Sequence, residues 1–163
     1  MKKGVVWVST VLYILISLAI VGIVIAAVTP RINSAKDKAT IEQTITMLNE
    51  IDYAINQASQ VQGTRLERDI KMSRGMLTVN PSANTITWTL DNSAYQYSEP
   101  NEEVSMCNLM VLTKKSQGGW QVSLTIKYSF DITSSLNVLQ PSEIPYKLWI
   151  ENKGNNIIDI STS

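Results

Sequence analysis

Cys107 is the only thiol in a chain of 163 residues that contains no histidine. Without histidine there is no Ser-His-Asp or Cys-His nucleophile arrangement, no histidine metal site and no imidazole general base. One cysteine makes neither an internal disulfide nor a Cys-rich zinc site. No phosphate-binding glycine loop, no Gly-x-Ser-x-Gly elbow and no metal-ligand spacing occurs. Glu102-Glu103 is the one adjacent acidic pair, and it reads as a solvated loop ahead of a strand. Lys114-Lys115 leads into Gly118-Gly119 and reads as a wet hairpin turn. Arg65, Arg68, Lys71 and Arg74 alternate with Glu67 and Asp69, which suggests local ion pairing. Cys107 sits in an alternating run and is expected to be a small, buried apolar residue. Trp88, Trp120 and Trp149 are expected in the core or on a sheet surface. The expectation is a protein that is not an enzyme and takes no cofactor or metal. Fourteen basic residues balance fourteen acidic ones, so charge predicts no nucleic-acid partner.

The charge is unevenly spread. No charged residue lies between Lys3 and Arg31, and 15 of the 24 residues from Val5 to Val28 are Val, Ile or Leu. On an insertion scale of about 0.3–0.6 kcal/mol each, they favour the bilayer by about 4–9 kcal/mol. As a helix the run is about 36 Å long, against a hydrocarbon core of about 30 Å. It is apolar on every side, and lipid leaves its backbone no other hydrogen-bond partner. A secretory signal has a shorter apolar region and a small-residue cleavage site. Here Ile25-Ala26-Ala27 places a large residue where a small one is wanted. Lys2 and Lys3 favour a cytoplasmic N-terminus, whereas Arg31, Lys36 and Lys38 weaken that bias. No later stretch is long and apolar enough for a second span, so the chain is expected to cross once with its bulk outside. The membrane is thus the first expected partner.

Pro30 ends the apolar run and predicts a kink or local break. Beyond it the pattern turns amphipathic. Ile41, Ile45, Leu48, Ile51, Ile55 and Ala58 recur at helical spacing, with Ala35, Met47 and Ala54 near the same side. Lys36, Glu42, Gln43, Glu50 and Gln57 lie opposite. Such a stripe must pack on something, here a soluble domain. Gly63 is a plausible stop, giving a helical rod from about residue 5 to 62.

From Met72 the period changes to two. Thr85–Leu90 and Trp120–Phe130 alternate, and Met76–Val79, Val104–Thr113, Tyr146–Ile150 and Ile157–Ile160 are further strand candidates; Tyr95–Tyr97 and Ile132–Leu139 are weaker ones. One-faced alternation indicates antiparallel sheet with one side packed. The predicted fold class is α+β: a long N-terminal helix, transmembrane in its first half and amphipathic in its second, packed on an antiparallel β-sheet head.

A very short basic leader ending in glycine, Met1-Lys2-Lys3-Gly4, followed directly by a long uncharged helix, resembles the class III signal of type IV pilins and pilin-like proteins (pseudopilins). The Lys-Gly-Val junction and the lack of disulfides look more like the archaeal branch. The resemblance implies that a prepilin peptidase, a membrane aspartic protease, cleaves between Gly4 and Val5. The apolar helix would then be kept as the filament core. It divides the chain into leader 1–4, transmembrane or filament-core helix 5–29, amphipathic helix 30–62 and β-rich extracellular head 63–163. Many bacterial pilins carry Glu at the fifth mature position; this chain has Ser9 there.

Two functions from different classes follow. The first is a filament subunit that polymerises with identical or related subunits. Ser9, Ser17, Ala19, Gly22, Ala26 and Ala27 supply the polar and small positions at which helices approach closely. The second is a monomeric single-pass protein whose extracellular head binds a ligand. A mature N-terminus at Val5 supports the first, and Met1 the second; a cleaved secretory signal would leave a start near Val28.

Overall fold

The computed structural model describes residues 3–136 and 138–162, with side chains from Trp7 onward. Met1, Lys2, Asn137 and Ser163 lie outside the described residues, and with them half of the expected leader. Among the described residues the element order is a single helix followed by ten strands. Helix α1 spans Lys3–Ser59 and contains Pro30. The expected break does not occur. Proline deletes one helical hydrogen bond, the one to the Ala26 carbonyl, and leaves the rest of the ladder intact. The Thr29 hydroxyl donates to the neighbouring Ile25 carbonyl at 2.8 Å. After Ser59 the chain tightens through Gln60 and Val61 and turns at Gly63, whose φ of 80° suits glycine.

The strands form two sheets. β1 (Arg65–Ile70), β7 (Asp131–Ser134), β9 (Tyr146–Gly154) and β10 (Ile157–Thr162) make a four-stranded sheet in the order β1-β9-β10-β7. β2 (Met76–Asn80), β3 (Thr85–Ser93), β4 (Glu103–Met106), β5 (Leu109–Ser116), β6 (Gly119–Lys127) and β8 (Val138–Leu139) make a six-stranded sheet in the order β4-β5-β6-β3-β2-β8. All pairs are antiparallel except β7 with β10, which run parallel. The fold is the expected α+β one, a long N-terminal helix on a predominantly antiparallel β head; the strands divide between two sheets, and one pair is parallel. Tyr95–Tyr97 is not a strand, and its two rings meet edge to face at 6.2 Å.

The core is one continuous cluster. Ile41, Leu48, Ile51, Ala54, Ile55 and Ala58 of α1 join Trp88, Val111, Leu124 and Ile126 of the larger sheet and Leu148, Ile150, Ile158 and Ile160 of the smaller. The period-2 pattern is visible in β6, where Val122, Leu124 and Ile126 are buried and Gln121, Ser123 and Thr125 are not. Burying a side chain of this size contributes about 1.5–3 kcal/mol, so the helix stripe is a large part of the head's stability.

Candidate functional site

The first half of α1 stands clear of the head. Every described residue from Trp7 to Ile32 is exposed, with Trp7 at 77% and Ile23 at 69%. The chain thus has one N-terminal helix long and apolar enough to span a membrane. Gly4 and Val5 fall in its first turns. Ser9, Ser17, Ala19, Gly22 and Ala26 all lie on its exposed surface. At about 100° per residue, Ala19, Gly22 and Ala26 share one side, and Ser17 lies nearly opposite. The small residues that the sequence grouped together therefore form one stripe of three, with Ser9 and Ser17 outside it. Nothing approaches within 4 Å of where a Gly22 side chain would start. That space is open to a neighbouring helix.

The second half is the head's cover. Ile41, Leu48, Ile51 and Ile55 are buried, and Ile45 packs against them partly buried. Ala35, assigned to the same stripe from its spacing, is exposed, because the head begins only above it. Three polar contacts fasten the helix along its length. Nearest the apolar run, the Asp37 carboxylate is 3% exposed; it accepts from the Arg74 guanidinium and from the Ala94 backbone N–H at 2.7 Å. Further along, Asp52 accepts from the Asn108 amide at 3.2 and 3.3 Å. At the helix end, Asn152 donates to the Ala58 and Ser59 carbonyls at 2.9 and 3.3 Å. Those carbonyls have no partner inside the helix, so Asn152 serves as a C-terminal cap delivered from β9.

These four partners were not anticipated. One signal was available: Asp37 lies four residues before Ile41, on the line of the apolar stripe, where a carboxylate needs a partner. The basic cluster also resolves differently from local pairing. Arg74 goes to Asp37, Glu67 pairs with Lys147, and the Arg65 guanidinium lies 4.3 Å from the centre of the Trp149 ring. Strand β1 carries Arg65 and Glu67 beside β9, so their partners, Trp149 and Lys147, lie across the sheet and not along the chain.

Arg74 is positioned by its neighbours. Its carbonyl accepts from the buried Trp88 indole at 3.2 Å. Gly75 has a φ of 80°, and a Cβ there would collide with that indole. Glycine is required twice over, for the turn and for the close approach.

Cys107 is exposed, contrary to the buried strand residue expected. It occupies the tight turn between β4 and β5 with φ 56°, which splits the anticipated Val104–Thr113 run in two. Glu102, Glu103, Lys114 and Lys115 are exposed as expected, and Trp88 is fully buried, with Trp120 and Trp149 half-buried on the sheets. Tyr128 is 6% exposed, and its hydroxyl is the one buried side-chain polar atom without a hydrogen-bond partner among the described residues. Burial raises its pKa, and the nearby Asp52 carboxylate adds to the rise. Tyr97 is also raised, by burial first and by Glu42 second. Among the described residues no group of three or more His, Cys, Asp or Glu side chains could hold a metal ion.

Comparison with protein-family models, with curated proteins and with solved structures finds no match to this chain.

Proposed function

We propose that the chain is a structural subunit of a type IV pilus-like extracellular filament, without catalytic activity. A prepilin peptidase removes residues 1–4, and the subunit then polymerises with identical or related copies through α1. Before assembly it is a single-pass membrane protein with a cytoplasmic N-terminus and the head outside. The observation that carries this reading is the division of α1. One unbroken helix has an exposed, apolar, uncharged half followed by a half that seals the head. A rod built this way can exchange lipid contacts for contacts with other rods without disturbing the head, because no residue before Asp37 is buried among the described ones. The leader Met1–Gly4 supplies a short basic segment directly before that rod.

The test is the mature N-terminus of native material, read by intact mass. A chain beginning at Val5 supports the proposal. A chain retaining Met1 favours the monomeric membrane-anchored binding protein, and one beginning near Val28 means the helix is discarded. In addition, Gly4→Leu should leave a precursor four residues longer, because a bulky side chain at the cleavage junction obstructs the peptidase. Normal maturation of that variant would count against the pilin reading.

A further inference from the structure

The three fasteners set the head's direction along the helix. Asp37 meets Arg74 and Ala94, Asp52 meets Asn108, and Ser59 meets Asn152. The end of the head at Asp37 is therefore the end nearest the apolar run. Four connections gather there. The 71–75 turn and the 91–94 segment arrive through Asp37 itself. Gly118, in the β5–β6 hairpin, shares a cleft of about 380 Å³ with Asn33, Lys36, Arg74 and Asn92. The 140–145 loop joins them through the Ser142 N–H, which donates to the Met72 carbonyl at 3.0 Å.

The height of this rim can be reckoned from the helix rise. At about 1.5 Å per residue, Asn33 stands about 7.5 Å and Asp37 about 13.5 Å beyond Val28. The headgroup layer outside a hydrocarbon core is about 5–7 Å deep on each side. A hairpin tip level with Asn33 would rest at the outer edge of that layer. Its distance from lipid phosphates would be within one Debye length, about 8 Å at physiological salt.

The charges are sorted accordingly. Residues 31–38, 71–75, 91–94, 114–119 and 140–145 hold seven basic residues and three acidic ones. The remainder of 31–163 holds five basic and eleven acidic. Of the three acids, Asp37 is engaged with Arg74, Asp91 accepts from Gln121 at 2.6 Å, and Glu143 is exposed beside Ile144. Lys36, Lys71, Lys114 and Lys115 are exposed. Ile144, in the 140–145 loop, is 76% exposed.

We infer that this rim docks on the phosphates of anionic lipids in the leaflet from which α1 emerges, with Ile144 entering the headgroup layer. The inference rests on the single-span reading of α1. It deepens the proposed function by assigning the unassembled subunit a second membrane contact, which must be released when the subunit joins a filament. Lysines near an anionic surface each strengthen such a contact about fivefold, and the attraction falls as salt rises. The acidic remainder of the head is repelled by the same surface and keeps the head upright.

The experiment places the full-length chain, one copy per disc, in nanodiscs of phosphatidylcholine alone or of phosphatidylcholine with phosphatidylglycerol. Amide hydrogen exchange is then followed peptide by peptide. The expected result is exchange at 114–119 and 140–145 slowed about fivefold or more in the anionic discs. It should return to the phosphatidylcholine rate at high salt and in K114E/K115E, while the far-end turn at Asn155-Asn156 stays unchanged throughout. These lysines are exposed, so unaltered circular dichroism of the variant excludes a folding defect. Equal exchange in both discs, with the chain inserted, overturns the docking alone. Protection that appears only with several copies per disc assigns the rim to contacts between subunits and also overturns it. Failure of the chain to insert overturns the single-span reading and the docking with it.

Discussion

Asp37 shows how one side chain joins helix to head. Its carboxylate is buried and doubly hydrogen-bonded, whereas Arg74 keeps 44% of its side chain exposed. Removing the acid leaves Arg74 able to reach water and takes away the partner of the Ala94 N–H. Asp37→Ala should therefore cost about 2 kcal/mol, within the range for a charged hydrogen bond and below that for breaking a fully buried ion pair. Urea denaturation of the soluble head measures it, and a change under 0.5 kcal/mol would show that the apolar stripe alone seats the helix. Tyr128 makes an opposite case. Among the described residues no hydrogen bond of ordinary geometry reaches its hydroxyl, and the Asp52 carboxylate lies nearby, so Tyr128→Phe should change stability by no more than about 1 kcal/mol at neutral pH. The pH dependence has a definite sign. The folded state holds the phenol proton more tightly than the unfolded chain does, so the contribution is complete below pH 10 and is lost as pH rises above it. Alkaline titration followed by tyrosinate absorbance should show one of the six tyrosines ionising only with unfolding, and Y128F should abolish that step.

At the level of elements, the amphipathic half of α1 behaves as a component of the head. A fragment of residues 31–163 should be soluble, monomeric and mixed α/β by circular dichroism. A fragment of 63–163 should aggregate, because it uncovers the apolar sides of both sheets. A well-folded 63–163 fragment would mean that the stripe is not needed to close the core. The stripe was legible because Ile41, Leu48, Ile51 and Ile55 repeat at helical spacing, and β3, β6 and β10 were legible because their buried residues alternate. Strand β1 was not. Its sequence, Arg-Leu-Glu-Arg-Asp-Ile, has no run of apolar residues, and only pairing with β9 makes it a strand. The turn at Cys107-Asn108 was missed because neither glycine nor proline marks it, and the parallel pair of β7 with β10 joins segments distant in sequence, which local periodicity does not encode. For the candidate site, the apolar run could be read directly. Its fasteners could not, since Asp37 and Arg74 are 37 residues apart in sequence.

For the molecule as a whole, assembly should depend on the surface of the apolar half more than on charge. The chain has no acid before Asp37, so an amine at Val5 has no carboxylate partner within the apolar segment of any copy. If filaments form as proposed, Gly22→Leu should disturb them more than Ser9→Ala, since Gly22 sits on the stripe with Ala19 and Ala26 where helices can meet most closely. Filament yield by electron microscopy decides the order. Normal filaments with Gly22→Leu and none with Ser9→Ala would mean that a specific polar contact directs assembly.

The placement of the fasteners along α1 also has a mechanical consequence. Tension applied to the apolar half enters the head at Asp37, Asp52 and Ser59 together, because all three contacts sit on one rigid helix. The head is then loaded in shear along the helix, and separating it requires the contacts to yield at once. Peeling them in succession would need a transverse pull. The sheets lie beside the line of force and are loaded only through these contacts and the apolar stripe.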